Sequence, residues 1–201
     1  MHLIETLGWV ACCVYSTIPS FWLLIHPRAE TWRERMRNRR PVYKVLVPAW
    51  VGMWVLAGVA TWPWHDWRVS YDGWPARAAG LLLIAEGIFL YVRARRGFSP
   101  LQLSGHHELE PERHQQTLVV TGIRRHVRHP IYLGHMLEMM GWSFLTGLVV
   151  CWVLTGVAVF TGAVMIWMEE NELVERFGDS YREYQKKVPA IVPSARRTLL
   201  Q

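Results

Sequence analysis

An all-α, polytopic membrane protein of about five transmembrane helices is the fold that the sequence predicts. Three observations predict it. Apolar residues make up 51% of the 201-residue chain and charged residues only 19%, and the apolar ones fall in blocks of about 18–22, the length that crosses roughly 30 Å of hydrocarbon. Arginine and lysine collect in alternate connections between the blocks. Several of the 12 tryptophans stand at block ends, where amphipathic rings settle at headgroup level.

Each span follows from its own stretch. The first, residues 3–25, lacks a basic leading region and is too long for a signal core, so it reads as a retained span with Glu5 near its outer end. The second is 43–62, "YKVLVPAWVGMWVLAGVATW", and the third 76–93, "ARAAGLLLIAEGIFLYVR". The run from Ile131 to Met168 has 38 residues. As one helix it would be about 57 Å long, roughly twice the hydrocarbon thickness. It therefore folds into two spans, 131–147 and 149–168, with a tight turn near "LTGLV". The tail "NELVERFGDSYREYQKKVPAIVP" places Leu173, Phe177, Tyr181 and Tyr184 at helical spacing, with Gly178 interrupting and Pro189 stopping the helix. The whole reads as one integral membrane domain, 1–201. Three spans lie in 1–93, a connector in 94–130, a helical hairpin in 131–168, and a C-terminal helix and tail in 169–201.

The charges orient the bundle. The connection 26–42 holds six arginines, 63–75 holds one, 93–130 holds seven, the 147–149 turn none, and the tail after Met168 six arginines and lysines. Under the positive-inside rule this alternation puts the N-terminus outside and the C-terminus in the cytoplasm, in an inner membrane of bacterial type. The net charge of +6 has the same origin. The basic run Arg33–Arg40 thus reads as a topology determinant facing anionic lipid rather than nucleic acid. Cys12, Cys13 and Cys151 all sit in apolar blocks and read as packing residues, with no metal spacing and no disulfide framework. His106, His107 and His114 fall in a polar loop and make no metal set. Trp62, Trp64, Trp67 and Trp74 read as an interfacial belt, an aromatic cage being the other reading.

The candidate chemistry lies at the ends of the hairpin. If its two spans run antiparallel, "RHPIYLG" comes beside "MEENELVERFG". Pro130 suits the first turn of a helix, whose free N–H groups and dipole favour an anionic group. Arg128 and His129 add donors, Tyr132 a ring and hydroxyl, and Gly134 room for a ligand. Glu169 and Glu170 are two like charges at a membrane boundary, costly unless solvated or partnered. Each cluster has a plain reading beside the functional one: a basic anchor, and a span entering water. Glu138, with His135 beside it, lies inside the fourth span and is a candidate on the acceptor side, a structural partner such as an arginine from another helix being the other reading. Glu86 in the third span is a similar candidate that could face Glu138 or an acyl-like cavity.

Taken together these motifs resemble the isoprenylcysteine carboxyl methyltransferase family and the related phospholipid methyltransferases. The residues that carry the resemblance are Gly122, Arg128, His129, Pro130, Tyr132, Gly134, Glu169, Glu170, Phe177, Gly178, Tyr181, Tyr184, Val188, Pro189 and Pro193, spread over about residues 117 to 193. The chain departs from the pattern at Ile123 and at the Arg124–Arg125 pair. The resemblance implies S-adenosyl-L-methionine as methyl donor, bound on the cytoplasmic side, and a lipophilic or small membrane-permeant acceptor reaching the site from the bilayer. It implies cofactor binding by Gly122, His129, Pro130, Tyr132, Gly134, Glu170 and Tyr181. Arg128 and Glu169 read as the catalytic residues, supplying electrostatics on the acceptor side. Two other readings stand beside it. One is an NADPH-dependent membrane reductase of the sterol-reductase type, the other a non-catalytic membrane subunit. The sequence leaves the acceptor, the general base and the oligomeric state open.

Overall fold

The computed structural model describes residues 3–28, 31, 32, 34, 35, 43–71, 73–95 and 118–192. Outside the described residues lie Arg33, Arg37, Arg39 and Arg40 of the first basic loop. So do Arg96, His106, His107, Arg113 and His114 of the connector, and Pro193, Arg196 and Arg197 of the tail. Among the described residues the named helices follow in order: α1 Leu3–Ile25, α2 Tyr43–Thr61, α3 Trp74–Arg95, α4 Pro130–Thr146, α5 Val149–Phe177 and the short α6 Asp179–Lys187. Short 3-10 turns cover His26–Arg28, Trp62–Trp64 and Gly122–Arg125.

Four of the helical stretches are long and apolar enough to cross a bilayer: Leu3–Arg28, Lys44–Trp64, Trp74–Arg95 and Val149–Phe177. The protein is an integral membrane protein. α4 is the fifth crossing and the shortest, with 17 residues, or about 25 Å. It packs against α1, α3 and α5. Successive helices alternate in direction, so one end of the bundle gathers Arg28, Arg93, Arg95 and Arg128 and the other gathers Trp62, Trp64, Trp67 and Trp74. We call these the basic end and the tryptophan end.

Three features of the expected hairpin hold in detail. Gly147 closes α4 with φ +66°, a left-handed conformation open to glycine at no steric cost. α5 then runs back antiparallel. Its N-terminus is tied to the preceding loop by Val149 N–H on the Trp67 carbonyl and Val69 N–H on the Gly147 carbonyl, both at 2.9 Å. α5 does not stop at Met168. It continues to Phe177, because Leu173, Val174 and Phe177 have a second apolar cluster to pack into, with Leu118, Tyr181, Tyr184 and Val188. Gly178, at φ +58°, breaks the helix and α6 folds back.

At the tryptophan end Trp62, Trp64, Trp67 and Trp74 are 45–79% exposed. Trp62 stacks on His65 with centroids 4.3 Å apart. Rings this open suit a headgroup belt rather than a closed cage. A cavity of about 690 Å³ also opens here, lined among others by Glu5, Arg68, Tyr71, Arg77, Phe144 and Thr146. Arg68 reaches Glu5 at 2.5 Å. All three cysteines are buried and unpaired with one another as disulfides, and they pack with Trp9, Met139, Leu148, Val150 and Leu154 in the bundle core.

The most extensive helix pairing is α3 on α4, and glycine makes it possible. Gly80 faces Gly141, and Gly87 faces Gly134. A Cβ at Gly141 would lie 2.7 Å from the Gly80 carbonyl oxygen, and one at Gly87 would lie 2.6 Å from that of Gly134. Small residues let helix backbones meet in a membrane, where lipid offers no hydrophobic drive to hold them together. Gly141→Ala should therefore cost about 1–3 kcal/mol through overpacking. Gly156→Ala, whose Cβ would meet nothing within 4 Å, should leave thermal unfolding in detergent unchanged or slightly later.

Candidate functional site

The two hairpin corners meet at the basic end. His129 is followed by proline and adopts φ −116°, ψ 62°, away from the helical region that a following proline disfavours. Pro130 is fully buried as the first residue of α4. This turn aims Arg128 and His129 across the hairpin at α5. Arg128 Nε–H donates to Glu170 Oε1 at 2.7 Å and its Nη2 to Oε2 at 2.9 Å, a bidentate fork. His129 Nε2 lies 3.0 Å from Glu170 Oε1.

The remaining donors of Arg128 go to the end of α6. Nη1 donates to the carbonyls of Gln185, at 3.1 Å, and of Val188. The backbone N–H groups of Arg128 and His129 donate to the Pro189 and Ala190 carbonyls at 2.9 and 3.0 Å. α6 ends at Lys187, Val188 turns to extended backbone, and residues 189–190 lie alongside 128–129. The Gln185 amide donates to Glu170 Oε2 at 3.1 Å, and the Tyr181 hydroxyl approaches Oε1 at 3.5 Å. Burial pushes the Tyr181 phenol above its ordinary range and the Glu170 carboxylate raises it further, so Tyr181 remains an O–H donor. Burial likewise lifts Tyr184 to about 12, and its hydroxyl donates to the Arg124 carbonyl at 2.6 Å.

The paired glutamates thus divide their work. Consecutive residues on a helix point about 100° apart. Glu170 faces inward and is held by Arg128, His129 and Gln185. Glu169 accepts a 2.9 Å hydrogen bond from the Tyr132 hydroxyl, and its side chain is 33% exposed. His129 and Tyr132 stack with centroids 5.6 Å apart. A carboxylate, a phenol and the opening turn of α4 therefore stand together at the basic end.

The other expected site residues fall as follows. Gly122, at φ +65°, starts the turn that carries Arg124, and the Arg124 guanidinium donates to the Ala94 carbonyl at 3.1 Å. Gly134 makes the close backbone approach to Gly87. Glu138 accepts from the Tyr15 hydroxyl at 2.6 Å, while His135 lies against the Tyr15 and Tyr91 rings. Glu86 does not face Glu138. It is exposed, and the α3 residue against Glu138 is its neighbour Gly87.

Sequence reading missed Gln185 and the carbonyl row 188–190, although the Val-Pro step that ends α6 announced the change to extended backbone. It also missed His26, which meets Glu172 of α5. A histidine beside a basic loop carries no periodic signal, and only the fold brings it to α5.

These features define an integral membrane helical bundle with a charged corner closed over by its C-terminal helix. The chain belongs to the phospholipid methyltransferase family, whose family model matches residues 75–180. Among curated proteins, it is 38% identical over 89 residues to the protein-S-isoprenylcysteine O-methyltransferase of Schizosaccharomyces pombe, covering 43% of this chain and 38% of that protein. It is 30% identical over 129 residues to methanethiol S-methyltransferase 1 of Bradyrhizobium diazoefficiens, covering 62% and 40%. To the human protein-S-isoprenylcysteine O-methyltransferase it is 28% identical over 145 residues, covering 65% and 48%. The chain thus matches about two fifths to one half of the length of these relatives. No solved structure matches it.

The Arg128–Glu170 pair has side chains only 9% and 16% exposed. Arg128→Ala leaves that carboxylate without its cation and should cost about 3–5 kcal/mol. Limited trypsin digestion should then cut faster within α6. Arg182→Ala removes only an exposed pair with Asp179 and should change stability by less than about 1 kcal/mol.

Proposed function

We propose that this chain is an S-adenosyl-L-methionine-dependent methyltransferase of the membrane, acting on a lipophilic or small membrane-permeant acceptor. The observation that carries the reading is the Glu169–Tyr132 pair, set at the start of α4 and backed by the fixed Glu170. The residues present suit the donor's chemistry. It carries positive charge at sulfur and at its amine, together with ribose hydroxyls, and these suit a part-exposed carboxylate and a phenol. Its carboxylate suits a helix N-terminus. Glu169, Tyr132, His129 and the first turn of α4 would hold the donor, which supplies an electrophilic methyl group when bound. Arg128, Glu170, Gln185 and Tyr181 act as positioning residues by fixing the corner, and Pro130 and Gly122 set the turns that present it. Glu138 and His135, inside the bundle, back the acceptor side.

The remaining task is alignment and exclusion of water. α6 covers the corner with Tyr181 and Tyr184, both buried, and so shields it on one side. The excess of arginine at the basic end supports a cytoplasmic site with the N-terminus outside, in a membrane such as the bacterial inner membrane. The relatives' names include transfer to oxygen on isoprenylcysteine and to sulfur on methanethiol, and both fit an acceptor that partitions into lipid.

Equilibrium binding to the detergent-solubilised protein tests the reading. S-adenosylhomocysteine should bind and NADPH should not. Glu169→Ala and Tyr132→Phe should each weaken that binding by about ten- to a hundredfold, the value of hydrogen bonds to charged groups. Binding of NADPH in place of S-adenosylhomocysteine would return the assignment to a reductase.

A further inference from the structure

A second ionisable pair stands one turn along α5 from Glu169. Glu172 meets Nε2 of His26, at the end of α1. Glu169 and Glu172 are three residues apart on one helix, so their Cβ atoms lie about 5–6 Å apart. His26 thus contacts the carboxylate one helical turn along α5 from the one that Tyr132 meets. Its ring lies flat on Trp22, with centroids 4.0 Å apart and planes inclined by 14°. Its side chain is 12% exposed, and that of Glu172 is 41% exposed.

The ring is half-satisfied. Nε2 is turned to Glu172. Nδ1, the other polar atom of the ring, is buried and has no hydrogen-bond partner. A buried polar atom left unpaired costs about 1–3 kcal/mol, and such a group calls for an explanation. A carboxylate holding one imidazole nitrogen while the other stands ready for a proton is the arrangement of an oriented general base.

We propose that His26, oriented by Glu172, is the general base of this site and that the acceptor is a thiol. The inference rests on the methyltransferase reading above. An acceptor carboxylate arrives ionised, needs no base, and would be repelled by Glu169 and Glu172. A thiol, with a pKa of about 8.5, arrives neutral and at home in lipid, and must lose its proton before it becomes a strong nucleophile. The S–H bond breaks and the proton goes to Nδ1. It leaves through Nε2–H and the part-exposed Glu172 to water. The acceptor sulfur gains the carbon–sulfur bond of a thioether, and the donor sulfur keeps the electron pair of the bond it gives up. No oxidant or reductant is required.

Two acceptors separate this role from a structural one: 1-decanethiol, protonated at neutral pH, and 4-nitrothiophenol, already ionised. His26→Ala should lower kcat on decanethiol by roughly 10²–10⁴-fold and leave kcat on nitrothiophenol and S-adenosylhomocysteine binding nearly unchanged. Added imidazole should restore part of the loss. Glu172→Gln, which keeps the ring in place, should show a smaller loss with the same acceptor dependence. In the S-adenosylhomocysteine complex, where no transfer takes place, the infrared S–H stretch of bound decanethiol should move to lower frequency, and return to its free value in His26→Ala. Equal losses on both acceptors, no loss on either, or an S–H stretch indifferent to His26 overturns the proposal. If wild-type protein binds S-adenosylhomocysteine but methylates neither thiol, the thiol assignment falls while the methyltransferase reading stands. If it does not bind S-adenosylhomocysteine, both fall.

Discussion

One guanidinium holds the basic end together. Arg128 grips both oxygens of Glu170 and two carbonyls of the α6 terminus, so three separate stretches of chain meet on a single planar cation. An arginine buried to this degree is stable only when its donors are matched by acceptors in a fixed fork. Lysine, a point charge on a flexible stem, could not serve. Everything at that end takes its place from this closure. The His129 ring is held between Glu170 and Tyr132, α6 docks its two tyrosines, and Glu169 is left as the member of the pair that faces outward.

The same closure explains why adjacent glutamates are not redundant. The helical turn between them separates a carboxylate that is structure from one that is open to chemistry. The bundle behind them follows the same economy. Glycines let α3 and α4 touch along their backbones, Tyr15 satisfies Glu138, and the cysteines fill the core between α1 and α5. Inside the bundle Ser143 and Thr155 likewise pair with each other at 3.0 Å.

Much of this was legible in the sequence. Five spans follow from block length. The hairpin turn follows from a run too long for one span, the Gly178 break from a glycine within an amphipathic period, and the meeting of the two corners from antiparallel packing alone. These readings rest on local rules that the fold has no reason to override. What the sequence could not show depends on rotation about helix axes and on pairs far apart in the chain. Glu86 invites a chemical reading, but a shift of one residue, about 100°, puts its neighbour Gly87 against Glu138 instead. Gln185 and the 188–190 carbonyls gave no motif because backbone acceptors have none. His26 joins Glu172 only after α1 and α5 pack side by side.

The Val188 carbonyl lies 60 residues downstream of the arginine it binds. At ribosomal rates of about 5–20 residues per second, Val188 is joined to the chain on the order of 3–12 s after Arg128. Until then the cation and the carboxylate it grips have no completed cradle. The charged end therefore closes late, because the α6 stretch clasps helices that precede it in the chain. Translation interrupted before Val188 would leave that end unlatched.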